Sequence, residues 1–299
     1  MTFRSGFVAI VGRPNTGKST LTNALVGSKI AITSPHPNTT RHAIRGIVNG
    51  NDFQIVLVDT PGVHKARTPL GHRLNAVVEE SMESVDVIAM CLPADETSGT
   101  GDTFILEEMK KYPKSKKFAF VTKSDLVSKK KLAERLLEVS ALTTWDEIVP
   151  LSAVENEQVD VAINVLVAAL PEGPAYYPAD LSSDQEQEQL ICELIREAAL
   201  ADVREELPHS IMVTIDEMSA REGDRPFYDI HASIHVERDS QRAILLGHRG
   251  SHLKEIGMRA RADIERELGA RIFLGLHIKV SKEWQRDPKA LERFGFTAR

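Results

Sequence analysis

Residues 12–19 read Gly-Arg-Pro-Asn-Thr-Gly-Lys-Ser and follow the apolar run Phe7-Val8-Ala9-Ile10-Val11. A strand that ends in G-x-x-x-x-G-K-S and leads into a helix has few folds open to it. The glycines let backbone N–H groups turn inward around phosphate oxygens. Lys18 supplies a point charge between the terminal phosphates, and the Ser19 hydroxyl a ligand for Mg²⁺. A helix starting near Lys18 brings its positive dipole end to the same place, and Leu21, Ala24 and Leu25 give it an apolar side. The pattern calls for a nucleoside triphosphate held by Gly12, Arg13, Pro14, Asn15, Thr16, Gly17, Lys18, Ser19 and Thr20. A chance match in a surface turn is the alternative, and the strand before it and the amphipathic segment after it weigh against that.

Three further short motifs close apolar runs. Thr122-Lys123-Ser124-Asp125 follows Phe118-Ala119-Phe120-Val121. A carboxylate at Asp125 can accept from the ring N–H and exocyclic amine of guanine, and adenine would leave that acceptor unpaired. Asp59-Thr60-Pro61-Gly62 ends the run Ile55-Val56-Leu57-Val58. There Asp59 is placed to hold Mg²⁺ through water, and the Gly62 N–H to approach the γ-phosphate. Ser152-Ala153 follows Ile148-Val149-Pro150-Leu151 and offers backbone donors to a base. Each motif alone reads as an ordinary turn; four in this order do not.

Phosphate loop, threonine-bearing loop, DTPG, TKSD and SA together resemble the translation-factor-related GTPases. Pro14-Asn15 and Thr39-Thr40-Arg41 resemble the Era branch in particular. The resemblance implies Mg²⁺-dependent hydrolysis of GTP to GDP, with Lys18, Thr40 and Gly62 at the reacting phosphate. It places Mg²⁺ on Ser19, Asp59 and a switch threonine, Thr40 first and Thr39 second. Residues 31–41 hold two prolines, several hydroxyls and no apolar period, as suits a loop ordered by γ-phosphate and Mg²⁺.

Two residues depart from the commonest pattern. Val63 stands where Ras-like enzymes carry a water-orienting glutamine, an apolar replacement that Era-like proteins share, so slow intrinsic turnover is expected. In related GTPases an asparagine at the position of Asn15 helps bind K⁺ beside the phosphates, where a cation would act as an arginine finger does. Thr122 stands where asparagine is commonest and keeps one of its contacts. His64 reads as a switch residue without a direct chemical role.

At 299 residues the chain has room for two domains. Cys91 and Cys192 sit in separate apolar segments and read as buried small hydrophobes of a cytoplasmic protein. No stretch approaches the ~20 apolar residues of a membrane span, and the N-terminus runs straight into the first strand without a signal peptide. Pro171 to Pro178 is rich in proline with no period, so residues 172–189 read as a semi-rigid linker. Before it, in residues 1–171, apolar runs alternate with helical patterns. That predicts an α/β domain with a mainly parallel, doubly wound sheet, and Asn49-Gly50 marks one hairpin.

After the linker, residues 190–286 read helix, strand, strand, helix, GxxG, helix, strand, and residues 287–299 form a tail. Gly247-His248-Arg249-Gly250 between two helices resembles a type II K-homology domain of α+β class. Two glycines allow close approach to a sugar-phosphate chain, and Lys254, Arg259 and Arg261 follow with further positive charge. Charge runs the same way: residues 181–240 carry 5 basic and 15 acidic side chains, residues 241–286 carry 10 and 5. A charged helix face in solvent is the plainer reading of that charge alone. His248 and His252 lack a third ligand for a metal.

A GTPase domain of the Era type followed by this module covers nearly the whole chain. The resemblance implies binding to the 3′ end of 16S ribosomal RNA, not DNA, in maturation of the 30S subunit, gated by the nucleotide. It also implies peripheral contact with the cell membrane, for which the basic block is the one supporting feature. A tRNA-modifying GTPase would lack the GxxG module and usually end in a reactive cysteine; this chain ends Phe294-Gly295-Phe296-Thr297-Ala298-Arg299. A nucleotide-dead RNA adaptor would not need Lys18, Ser19, Asp59 and Gly62 intact.

Overall fold

The structure is a computed structural model. It describes all residues except 1, 35, 37, 38, 64, 65, 67, 202, 204–206, 222–225 and 297–299; His64 therefore lies outside the described residues. Two compact units appear, one of residues 1–67 and 71–185 and one built on residues 186–299.

In the first unit the chain order is β1 (Arg4–Val11), α1 (Lys18–Val26), β2 (Ile44–Asn49), β3 (Phe53–Asp59), α2 (Pro69–Glu83), β4 (Val87–Pro93) and α3 (Thr100–Met109). β5 (Lys116–Thr122), α4 (Lys129–Ser140), β6 (Glu147–Pro150) and α5 (Val159–Ala169) complete it. The strands lie in the order β2-β3-β1-β4-β5-β6. Only β2 is antiparallel to its neighbour, through the Asn49-Gly50 hairpin, where Gly50 N–H donates to Phe53 O at 2.9 Å. Successive residues of a strand face opposite sides, and the core divides accordingly. Val8, Ile10, Leu57, Ala89 and Phe120 pack with Leu21 and Leu25 of α1 and Ala162 and Leu166 of α5. Ala9, Val11, Ile88, Met90 and Val121 pack with α2, α3 and α4 through Val78, Met82, Ile105 and Val139. Both faces are covered, as a parallel sheet requires, and the polar loops gather at the strand C-termini.

The segment expected to be a linker is largely part of this unit. Ser5 N–H donates to Pro171 O at 3.1 Å, and the Phe7 and Tyr176 ring centroids lie 4.8 Å apart. Gln54 Oε1 accepts from the N–H groups of Tyr176 and Tyr177 at 2.7 and 2.9 Å, and its Nε2 donates to Tyr177 O. Further on, Ile47 N–H donates to Ser182 O at 2.8 Å and Arg45 pairs with Asp184 at 3.0 Å. Residues 172–185 thus form a strap along β1 and the outer edge of β2, satisfying backbone groups that an edge strand would otherwise expose.

The second unit runs α6 (Gln187–Leu200), α7 (Leu207–Ser210), β7 (Met212–Ala220), β8 (Phe227–Val236), α8 (Asp239–Leu246), α9 (Ser251–Leu268), β9 (Arg271–Val280) and α10 (Pro288–Arg293). β8 is central, antiparallel to β7 and parallel to β9. Ile191, Leu194 and Ile195 of α6 and Ile256, Ala260 and Ile264 of α9 are buried, at the helical spacing of the sequence. Of the residues expected to form a tail, 287–296 are packed instead. Phe294 stands edge-on to the fully buried Trp284 at 5.3 Å, Phe296 stacks on it at 6.3 Å, and Trp284 Nε1 donates to Ser210 O at 2.9 Å. Among the described residues no helix is long and apolar enough to cross a membrane.

Candidate functional site

The loop between β1 and α1 wraps around its own lysine. Lys18 Nζ donates to Arg13 O at 2.8 Å, and Thr16 Oγ1 donates to the same carbonyl at 3.0 Å. Gly12 and Gly17 have φ of 156° and 89°. A Cβ on Gly12 would stand 2.7 Å from Thr16 Oγ1 and 2.9 Å from Cys91 O, so only glycine fits the turn. Gly62 is as constrained: its Cβ would meet Pro14 N at 2.7 Å. The loop after β3 therefore lies directly against the phosphate loop.

Three oxygens converge beside Lys18. Ser19 Oγ donates to Asp59 Oδ2 at 2.7 Å, Ser19 Oγ and Thr40 Oγ1 are 2.8 Å apart, and Thr40 Oγ1 donates to Asp59 Oδ2 at 3.4 Å. Asp59 is fully buried, and its Oδ1 has no hydrogen-bond partner among the described residues. Burial pushes the Asp59 carboxyl up to about 6, against the pull of Ser19 and Lys18. Burial likewise holds the Lys18 ammonium below its ordinary value, against the pull of Asp59. A buried carboxylate with an unanswered oxygen, flanked by two hydroxyls, is a donor set that suits a hard divalent cation.

A cavity of about 420 Å³ opens over these groups and is lined by Asn15, Lys18, Ser19, Thr20, Thr39, Thr40, Gly62 and Lys123, with Ile32 and Glu96. Thr122 Oγ1 donates to Thr16 O at 2.7 Å, tying the end of β5 to the phosphate loop. The Asp125 carboxylate is exposed in the turn beyond. Ser152 N–H is committed to Glu157 O at 3.1 Å and its Oγ accepts from Glu155 N–H. Of the Ser152-Ala153 pair, only the Ala153 N–H is left for a base.

In the second unit, Gly247, Arg249 and Gly250 have φ of 69°, 53° and 81°, a left-handed turn that delivers the chain into α9. Beside it runs a groove of about 430 Å³ lined by Gly250, Leu253, Lys254, Gly257, Met258, Arg261, Phe273, Leu274 and Leu276. Met258 and Phe273 are about half exposed on its rim.

Residues 7–124 match a family described as "50S ribosome-binding GTPase", and residues 206–285 match the KH domain family. GTPase Era of Mycobacterium tuberculosis (strain CDC 1551 / Oshkosh) is 56% identical over 297 residues, covering 98% of this chain and 99% of that one. The chain belongs to the Era family of GTPases. Era of Mycobacterium avium (strain 104) is 57% identical over 296 residues, again across 98% of this chain and 99% of that one. A crystal structure of an Era with MgGDPNP and nucleotides 1506–1542 of 16S ribosomal RNA superposes with a TM-score of 0.94 at 35% identity, covering 99% of this chain and all of that one. An Aquifex aeolicus Era variant bound to GDP and AlF4⁻ gives 0.93 at the same identity and coverage. The chain is thus a GTP-hydrolysing protein with a mostly parallel P-loop domain followed by a KH domain.

Membership of the family does not assign each side chain, and the geometry corrects several expectations. Arg13 lends the phosphate loop its carbonyl, whereas its guanidinium is turned away to Asp102 at 2.8 Å and Glu96 at 3.1 Å. The loop of residues 31–41 is not free along its whole length: Asn23 Oδ1 accepts from Ile30 and Ala31 N–H groups at 3.0 and 2.9 Å, and its Nδ2 donates to Ala31 O. Of the residues expected to meet RNA, Gly250, Lys254 and Arg261 line the groove, the last with its guanidinium held by Glu265 at 3.0 Å, whereas Gly247, His248, Arg249 and Arg259 lie outside its lining. Asn23, Asp95, Glu96 and Asp102 escaped the sequence reading. The two acids after β4 had the signal that exposed the other motifs, a polar turn closing an apolar run.

Proposed function

We propose that this protein is a GTP-controlled RNA-binding switch that recognises the 3′ end of 16S ribosomal RNA and assists assembly of the 30S subunit. The observation that carries this is the convergence of Thr40 with Ser19 and Asp59. It joins the loop that carries the switch threonine to the place where a γ-phosphate and its cation would lie. Gly12 to Thr20 cradle the phosphates, with Lys18 between the terminal ones. Ser19, Thr40 and Asp59 hold Mg²⁺, which offsets charge on the phosphate oxygens. The N–H of Gly62 meets the γ-phosphate beside Thr60 and Pro61. Asp125 reads guanine, with the Lys123 stem as a shelf, Thr122 as a brace and Ala153 N–H closing over the base. Gly247, His248, Arg249 and Gly250 admit the RNA backbone, Lys254 adds charge, and the apolar floor accepts bases.

The test is binding of a single-stranded RNA of the 16S 3′-end sequence in GDP and in a non-hydrolysable GTP analogue. Tighter binding with the analogue is expected; equal binding would leave an RNA-binding GTPase whose switch controls something else.

Asn15, at φ 63° on the cavity wall, is proposed to hold K⁺ beside the phosphates. Hydrolysis should then run several-fold faster in potassium than in sodium buffer, and Asn15→Ala should remove the difference. Equal rates in the two salts would end the idea.

A further inference from the structure

The turn after β4 places two carboxylates at the edge of the nucleotide cavity. Glu96 lies 3.1 Å from the Arg13 guanidinium and 4.0 Å from the Lys123 ammonium, and Asp95 Oδ1 lies 3.8 Å from the same ammonium. That Oδ1 is closed off from solvent and has no hydrogen-bond partner among the described residues. At 3.8 Å the lysine is too far to satisfy it, and a shut-in carboxylate oxygen without a donor is costly. A movement of Lys123 by about 1 Å would complete the bond. The turn cannot drift to meet the lysine. Arg135 of α4 donates to Pro93 O at 3.1 Å and to Ser98 Oγ at 2.8 Å, and Glu138 accepts from Ser98 N–H at 2.9 Å.

Lys123 is itself constrained, with its backbone left-handed at φ 57° and its side chain on the cavity wall. Two carboxylates beside a site for a polyanion repel that ligand; what they supply in return is a fixed lysine. We propose that Asp95 and Glu96 are positioning residues for guanine-nucleotide binding. They anchor the Lys123 ammonium so that its stem lies flat as the shelf for the base. Glu96 also ties that shelf to the phosphate loop through Arg13. This rests on the guanine reading of the site given above.

Full-length protein freed of nucleotide decides it, as Asp95→Asn and Glu96→Gln, each with Lys123 present and with Lys123→Ala. Asp95→Asn is expected to raise the dissociation constants of GDP and of a non-hydrolysable GTP analogue by the same factor, about 3–10. KM for GTP rises with them while kcat at saturation is unchanged, because the shelf holds ground and transition states alike. In the Lys123→Ala background the same substitution changes neither constant. An undiminished effect in that background, or a fall in kcat, overturns the proposal. Glu96 is the more exposed of the pair, so Glu96→Gln carries the same test if Asp95→Asn does not fold. Wild-type protein that failed to bind GDP would remove the guanine reading itself, and the proposal with it.

Discussion

Asp59→Asn should raise the thermal midpoint of the nucleotide-free first unit at pH 7 by several degrees while cutting GTP hydrolysis about a hundredfold or more. Both effects come from one buried carboxylate. Burial lifts its folded-state value to about 6 from an ordinary 3.8, so the folded protein holds the proton more tightly than the unfolded chain does. The stabilisation this gives is fully present below the unfolded value and is lost as pH rises through about 6. The shift corresponds to about 3 kcal/mol at most, or at most about 6–12 °C for a unit of this size. An amide of the same shape avoids the loss. It also removes the charge that would hold Mg²⁺ between Ser19 and Thr40, and charge stabilisation at the phosphates is worth several kcal/mol of barrier. Thermal unfolding of both proteins in EDTA between pH 4 and 8 checks the first half. The gap should open between pH 4 and 6 and stay level above; a gap that ignores pH would show that Asp59 carries no raised value. Magnesium and GTP should reverse the order of stability, because ligand binding stabilises wild type by mass action.

That opposition between stability and activity bears on what the sequence makes legible. The first unit's central strands were readable because they are runs of apolar residues buried on both faces, as with Val87 to Leu92, every one of them inaccessible to solvent. The motifs at their ends were readable because phosphate and guanine constrain residue type as well as position. The strap was not. Residues 171–178 have no period, and what fixes them is Gln54 on β3 and Ser5 and Phe7 on β1, partners remote in sequence. The C-terminal segment was misread for a similar reason. Ala290, Leu291, Phe294 and Phe296 make too short an apolar stretch to establish a period, and the aromatic partner Trp284 lies beyond β9. In the groove, Leu274 and Leu276 alternate as core residues do, yet they line its floor. Alternation says which residues share a face and not what covers it. A loop motif names positions whose backbone matters, so it does not place the Arg13 side chain, which is claimed by Asp102, 89 residues away.

RNA affinity should fall by about a hundredfold or more in Gly250→Asp, with GTP hydrolysis in RNA-free protein unchanged. The two glycines of the GxxG turn are not equivalent. A Cβ on Gly247 would stand 2.7 Å from His252 Cβ and 2.9 Å from its backbone N, so substitution there displaces the start of α9. A Cβ on Gly250 meets nothing within 4 Å. The cost to folding at Gly250 is the left-handed backbone at φ 81°, about 1–2 kcal/mol for an ordinary residue and less for Asp or Asn. The new carboxylate then occupies the open mouth of the groove, beside Lys254, where a phosphate would come closest. Gly250→Asn adds nearly the same bulk without charge and should cost about tenfold. The difference between the two variants isolates electrostatic repulsion, and it should shrink as salt rises. Fluorescence anisotropy with a 16S 3′-end oligonucleotide at three salt concentrations measures all of this. If both variants bind as wild type does, the RNA does not pass over the GxxG turn. If Asn and Asp lose equally at every salt, the loop excludes RNA by size, and charge at its mouth is not what the groove reads.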